Sequence, residues 1–205
     1  MGIIIYSCSN DDNILPDDIL YSGLIDAQIS SIDTFVYIGT DDDGDCDAPV
    51  PRDSSAFFDI DLNMDGVADF KIKHFHKYGA EHTSMHSWCA KYHNYYVNLD
   101  SYNENQICMN NLPHEDISNY IPNGEPINNK IQWESGNVSA IQYGALCECN
   151  YSTYSGKGII GLRLNENGTI YYGWMKVNIS LYGFTIYDYA VNMAANKTIL
   201  AGQME

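Results

Sequence analysis

The residues of this chain best suited to chemistry form one run of oxygen-bearing side chains around Gly66, between Asp59 and Asp69. From the first Asp after Ile60, acidic or amide side chains recur at alternate positions and the glycine follows at the sixth. Ca²⁺ binds about six to eight hard oxygen ligands on a backbone that curls around the ion. The run therefore predicts a calcium loop. The predicted ligands are the side chains of Asp61, Asn63, Asp65 and Asp69, the carbonyl of Val67 and, optionally, Asp59.

The loop differs from an EF-hand because its twelfth position is Ile72 rather than Glu. Its pattern Asp-x-Asn-x-Asp-Gly-x-x-Asp resembles the shorter loops of thrombospondin type 3 and related extracellular repeats. Apolar residues at 56–58 and at positions 70 and 72 predict a strand on each side, so the ion would brace two strands. We expect a dissociation constant of roughly 10⁻⁴–10⁻³ M, as in extracellular modules. An Asp- and Asn-rich β-turn without an ion is the alternative.

A second group of potential ligands lies between residues 74 and 93. Its members are His74, His76, His82, His86, Cys89 and His93. The last four would share one helical face, and imidazole with thiolate suits zinc. Gly79, Trp88 and Tyr92 disfavour a long helix, and the segment holds no His-Glu-x-x-His motif. The pattern favours surface and loop histidines over a zinc centre, and it does not support a zinc protease.

The N-terminus carries a possible anchoring site. Ile3–Tyr6 is apolar, Ser7 is small and Cys8 precedes a polar, acidic stretch. This order resembles the end of a bacterial lipoprotein signal followed by the leader of surface lipoproteins in Bacteroidetes-type bacteria. The resemblance implies a lipid on Cys8, a location at the outer membrane or cell surface, and membrane attachment through that lipid alone. An ordinary first strand or frayed end is the alternative.

The other cysteines are disulfide candidates in an oxidising compartment, with two bridges and one thiol left over. They are Cys46, Cys89, Cys108, Cys147 and Cys149. We expect Cys89 to pair with Cys108 if the strands near residues 95 and 108 form a hairpin, and one of Cys147 and Cys149 to pair with Cys46.

Composition excludes some partners. The chain has 205 residues, 27 Asp and Glu against 10 Lys and Arg, and a net charge of -17. Nucleic acid is therefore a poor partner, because phosphate binding requires a basic surface. The charge also disfavours electrostatic attachment to anionic membranes.

Strand-like runs at short spacing, 17 tyrosines and the lack of any long helical pattern predict an all-β antiparallel sandwich, jelly-roll or lectin-like, with long irregular loops. Expected strands include 32–38, 92–99, 159–164, 169–179 and 184–191. We expect a residual signal segment at 1–7, a tether at 8–30 and one sandwich domain at 31–205. Gly161–Leu164, Tyr172–Val177, Asp188–Ala190 and Ile199–Gly202 resemble the C-terminal hairpins of uncharacterised secreted Bacteroidetes-type proteins. That resemblance implies a secreted β-rich domain and brings no activity.

The sequence favours a non-catalytic surface lipoprotein domain, stabilised by calcium, that binds a glycan or protein ligand or serves a structural role. The alternative is a glycan-active hydrolase on the same fold, since paired carboxylates meet only in space. The carboxylates considered for it, Glu81, Glu115, Glu134 and Glu148, have no distinctive context. The chain lacks the nucleophile elbow, the phosphate loop and the dinucleotide fingerprint.

Overall fold

A computed structural model describes residues 18–25, 27–29, 54–82, 89–109, 120–144, 151–152 and 154–204. The regular structure within these ranges consists of strands, and these strands pair antiparallel throughout, so the predicted all-β antiparallel class is confirmed. The strands are β1 (Ile19–Tyr21), β2 (Ala27–Ile29), β3 (Ser54–Ile60), β4 (Phe70–His82), β5 (Cys89–Ser101), β6 (Gln106–Cys108), β7 (Pro126–Ile127), β8 (Trp133–Ser135), β9 (Asn137–Gly144), β10 (Tyr151–Ser152), β11 (Gly156–Glu166), β12 (Thr169–Ser180), β13 (Gly183–Asn192) and β14 (Ile199–Leu200).

The described strands form three sheets. The large sheet has the order β1-β13-β12-β11-β6-β8, and β2 also pairs with β13. A five-stranded sheet has the order β10-β9-β5-β4-β3, and β14 pairs with β7 in a small sheet. No helix long and apolar enough to cross a membrane occurs among the described residues.

The large and five-stranded sheets pack face to face through the first core. On β11, Ile160, Leu162 and Leu164 alternate towards this core, where they join Ile72 and Leu99 of the facing sheet. All five side chains are almost fully buried. Alternation with period two places one set of side chains between the sheets, and this contact forms the sandwich.

The opposite face of the large sheet is also covered. Cys108, Trp174 and Ala190 project there and pack against Ile127 and Ile199 of the small sheet in the second core. The middle of β12 is therefore buried on both faces, which explains its nearly continuous apolar sequence. The small sheet adds a third layer to the expected sandwich.

Tight turns join the long C-terminal strands. Between β11 and β12, Asn167 and Gly168 both have positive φ, at 53° and 88°. Two successive left-handed residues form a turn whose twist matches that of the flanking strands. The expected strands over 159–164, 169–179 and 184–191 lie within β11, β12 and β13.

Some expectations differ from the structure or lie outside it. β6 pairs with β11 and β8, so it does not form the expected hairpin with the strand near residue 95. The neighbours of β5 are β4 and β9. Sequence proximity had suggested the wrong partner for a strand of only three residues. The expected strand 32–38 and the segment 1–7 lie outside the described residues.

Candidate metal loop and adjoining cleft

The predicted calcium loop connects β3 to β4. Ile60 and Phe70, at its two ends, are buried register partners in the five-stranded sheet. The amide of Asp69 donates a 2.8 Å hydrogen bond to the carbonyl of Ile60, which closes the loop at its base. The loop therefore leaves and re-enters the sheet at fixed neighbouring positions.

Inside the loop, side-chain oxygens accept hydrogen bonds from the curled backbone. Asp61 accepts from the amide of Asp65 at 3.0 Å and from that of Gly66 at 2.7 Å. Asp65 accepts from the amide of Val67 at 2.8 Å. Met64 and Gly66 have positive φ, at 61° and 91°, and produce the sharp bend. The backbone thus already curls around the side chains that were predicted to hold an ion.

Asp69 is the buried member of the set, at 8% exposure. Its carboxylate accepts a 2.8 Å hydrogen bond from the amide of Leu62. Burial raises its pKa to about 6, and the negative charges of Asp61 and Asp65 act in the same direction. The backbone hydrogen bonds oppose this shift without cancelling it. The loop therefore concentrates negative charge around a carboxylate that is poorly solvated.

Leu62 anchors the loop to the large sheet. It is fully buried in the first core, although both of its neighbours in sequence are predicted ligands. It packs over Gly173 of β12, where an added Cβ would lie 3.1 Å from a Leu62 methyl group and 2.6 Å from the carbonyl oxygen of Ala190. The glycine makes room for the loop to dock.

Two asparagines connect the loop to neighbouring turns. Asn105, which is 1% exposed, donates to the backbone carbonyl of Asp69 at 3.3 Å and to its carboxylate at 3.4 Å. The side-chain oxygen of Asn105 accepts from the amide of Asn165 at 2.8 Å. Asn63 donates to the carboxylate of Glu166. The loop, the turn after β5 and the β11–β12 turn therefore form one hydrogen-bonded rim.

This rim surrounds an open cleft of about 860 Å³, called the acidic cleft below. Its described lining contains asparagines, carboxylates and a few apolar side chains, and no Lys, Arg or His. The tripeptide Asn-Glu-Asn occurs at 103–105 and again at 165–167, and both copies line the cleft. The sequence predicted only the residues on the loop side of the cleft. The repeated tripeptide is the feature of the sequence that could have pointed to the other sides.

The structure places Asp59 apart from the other predicted ligands. Its carboxylate lies 3.1 Å from the ammonium of Lys71 and accepts a hydrogen bond from the hydroxyl of Tyr102 at 3.4 Å. Ile72, at the twelfth position, is fully buried and supplies no ligand. Across the described ranges no group of three or more His, Cys, Asp or Glu side chains is gathered closely enough to hold a metal ion. Ion binding would thus require the loop carboxylates to close together.

The histidine segment is not a helix where the structure describes it. β4 and β5 pair across it, and His82 and Cys89 are register partners. His74 is buried in the sheet, with Nε2 2.7 Å from the carbonyl oxygen of Leu181, and burial lowers its pKa. His86 lies outside the described residues.

Cys108 carries a free thiol that is buried in the second core. Burial raises its pKa to about 12, so the thiol is unreactive at neutral pH. The hairpin on which its pairing with Cys89 was predicted is not formed. Cys8, Cys46, Cys147 and Cys149 lie outside the described residues.

Of the carboxylates considered for hydrolysis, Glu134 is exposed on β8 and does not line the acidic cleft. Glu81 lies on β4, and Glu115 and Glu148 lie outside the described residues.

No family model, curated protein or solved structure matches the chain.

Proposed function

We propose that this protein is a non-catalytic binding or structural module of the cell surface, and that Ca²⁺ bound by loop 61–69 stabilises it. The observation that carries the proposal is the arrangement of Asp61, Asp65 and Asp69 on a curled loop with fixed ends. Carboxylate, amide and carbonyl oxygens are the ligands that Ca²⁺ prefers. A bound ion would offset both the burial of Asp69 and the nearby charges of Asp61 and Asp65, which together raise its pKa.

The expected affinity follows from the same geometry. Asp61 and Asp65 are engaged with backbone amides, and no three carboxylates are gathered around one point in the described residues, so these side chains must move towards the ion as it binds. This reorganisation reduces the net free energy of binding. We expect a dissociation constant of roughly 10⁻⁴–10⁻³ M, which suits an extracytoplasmic location where calcium is abundant.

The test is thermal unfolding in a chelator, in Mg²⁺ and in Ca²⁺. At a calcium concentration ten times the dissociation constant, the gain is about 1.4 kcal/mol, or about 3–6 °C in Tm for a chain of this size. Asp61→Asn should abolish the gain, whereas the matched variant Asp59→Asn should retain it. Equal Tm values with Ca²⁺ and with chelator would refute calcium binding.

The surface location has its own support and its own test. It is supported by the Ile3–Cys8 segment and by the acidic composition. Metabolic labelling with a palmitate analogue in the native host should label the wild type and leave Cys8→Ser unlabelled. A wild-type protein without label would contradict the lipid anchor and leave the calcium proposal intact.

A further inference from the structure

A second pocket lies on the opposite face of the large sheet from the acidic cleft, and the charged side chains that line it are positive. It has a volume of about 400 Å³ and is called the basic pocket below. Arg163 and Tyr172, which are register partners on β11 and β12, lie at its base. Lys130 contributes a second cationic side chain. Asn128, Asn129 and Asn196 supply amide groups to its walls.

The charge of Arg163 is not balanced within the described structure. The ion pairs found among the described residues join Lys71 to Asp59 and Lys73 to Asp100, and neither involves the pocket. The lining of the pocket contains no Asp or Glu. In a chain with a net charge of -17, two cations that face one cavity without a carboxylate partner indicate a site for an anionic group.

The guanidinium also has hydrogen-bonding capacity left over. Nη1 of Arg163 donates to the side-chain oxygen of Gln106. Nε is buried and has no hydrogen-bond partner. Leaving a buried donor unpaired costs free energy. An acceptor in the cavity recovers it once the Arg163 side chain turns this edge of the guanidinium towards the cavity, because Nε has almost no accessible surface in the present conformation. Nε–H and Nη2–H point along the same edge of the planar guanidinium, and two parallel donors match the two oxygens of a carboxylate.

The walls of the pocket are held in place by their own contacts. Trp133 donates from Nε1 to the carbonyl of Asn128 at 3.2 Å, and its ring stacks on Tyr172 at a centroid distance of 5.8 Å. On the other side, Asn192 donates to the carbonyl of Thr198 at 3.2 Å. These contacts fix both walls to the large sheet, so binding requires little ordering of the surrounding chain.

We propose that the basic pocket binds the carboxylate of a small polyhydroxylated acid of the uronic acid class. Arg163 pairs with the carboxylate, Lys130 adds a second positive charge, and the three asparagine amides bind hydroxyl groups. A pocket of this volume is at the small end of ligand sites and fits about one sugar residue. The strongly negative chain disfavours a highly charged polyanion. This site does not depend on the calcium loop.

The experiment is isothermal titration of the intact protein with glucuronate, in a buffer without added Ca²⁺ and without carboxylates, so that the calcium site cannot affect the result and no buffer ion competes for the pocket. We expect glucuronate to bind, and glucose, inorganic phosphate and acetate each to bind at least about tenfold more weakly. Arg163→Met should weaken glucuronate binding by about tenfold or more, because it removes a charge-assisted bidentate contact. The matched control is Lys157→Met, which removes an exposed lysine from the same strand and should change nothing.

Each arm has a contrary result. If glucose binds as tightly as glucuronate, the pocket does not recognise the carboxylate. If phosphate binds as tightly, the paired donors of the guanidinium do not select a planar carboxylate. If acetate binds as tightly, the hydroxyl groups of the sugar contribute nothing. Unchanged binding by Arg163→Met overturns the proposal. If that variant fails to fold, Arg163→Lys and Lys130→Met replace it, and full affinity in both would overturn the proposal equally. Titration with a glucuronate-containing oligosaccharide then shows whether the residue is recognised within a glycan as well as free.

Discussion

Leu62→Ala is the most direct test of how loop 61–69, the proposed calcium site, is held on the domain. Leu62 is fully buried, and the residue beneath it, Gly173, has no side chain that could fill the space left behind. Removing three carbon atoms costs about 2–3 kcal/mol in transfer free energy. The unfilled cavity adds to this, so we expect a total loss near the upper end of the usual range, about 3–5 kcal/mol.

The substitution should also weaken calcium binding. The amide of Leu62 donates to the carboxylate of Asp69, so a loop that has lost its anchor positions this ligand less well. Each 1.4 kcal/mol of binding free energy lost in this way raises the dissociation constant for Ca²⁺ about tenfold. Guanidinium chloride unfolding in chelator measures the first effect, and calorimetric titration with Ca²⁺ measures the second.

The matched control lies in the same loop. Val67 is 61% exposed, so Val67→Ala should change the free energy of unfolding by less than about 0.5 kcal/mol. Similar stabilities for Leu62→Ala and Val67→Ala would show that the loop is not anchored through Leu62. A large loss of stability with unchanged calcium affinity would show that the anchor and the ligands are independent.

Two further predictions concern buried polar side chains. Asn105→Ala should lower the free energy of unfolding by about 1–3 kcal/mol, because it leaves the amide of Asn165 without a partner and removes one hydrogen bond from the buried carboxylate of Asp69. Asn129→Ala, at an exposed asparagine without a positive φ, should be nearly neutral when both variants are unfolded in urea, and equal losses would contradict a bridging role for Asn105. Because the pKa of His74 is lowered in the folded protein, this residue binds a proton in the unfolded chain at a higher pH than in the folded one. As pH falls, protonation in the unfolded chain begins near pH 6.5. The stability that this residue contributes should be present above that pH and be lost as pH falls towards its folded pKa, by at most about 1.4 kcal/mol per pH unit. The difference between wild type and His74→Leu should therefore depend on pH between 7.5 and 5.5, and a constant difference would contradict the argument.

The elements that the sequence predicted well are those with a local signal. The runs that became β11, β12 and β13 are rich in β-branched and aromatic residues, and turn residues separate them. The bounds of loop 61–69 were equally clear, because Ile60 and Phe70 enclose a polar segment. In both cases the residues that decide the structure are neighbours in the chain.

The partners of short strands could not be predicted, because they depend on distant residues. Gln106–Cys108 pairs with β11 through Leu162 and Arg163, more than fifty positions later. The third layer was also missed, because β7 and β14 have only two residues each. The acidic cleft and the basic pocket both arise from such long-range pairings. The residue types that line both sites can be recognised in the sequence. No pattern among neighbouring residues shows that they come together in the fold.

The pairing of β1 with β13 has a consequence for the order in which the protein is completed. Ile19 is the register partner of Asn192, so the first described strand and one of the last are neighbours in the large sheet. A chain made from its N-terminus must keep β1 unpaired until almost the whole sequence has emerged. The hairpins of β11, β12 and β13 contact residues nearby in sequence and can form early. Closure by β1 is therefore a late step, and a chain released before residue 183 has no β13 on which to complete its large sheet.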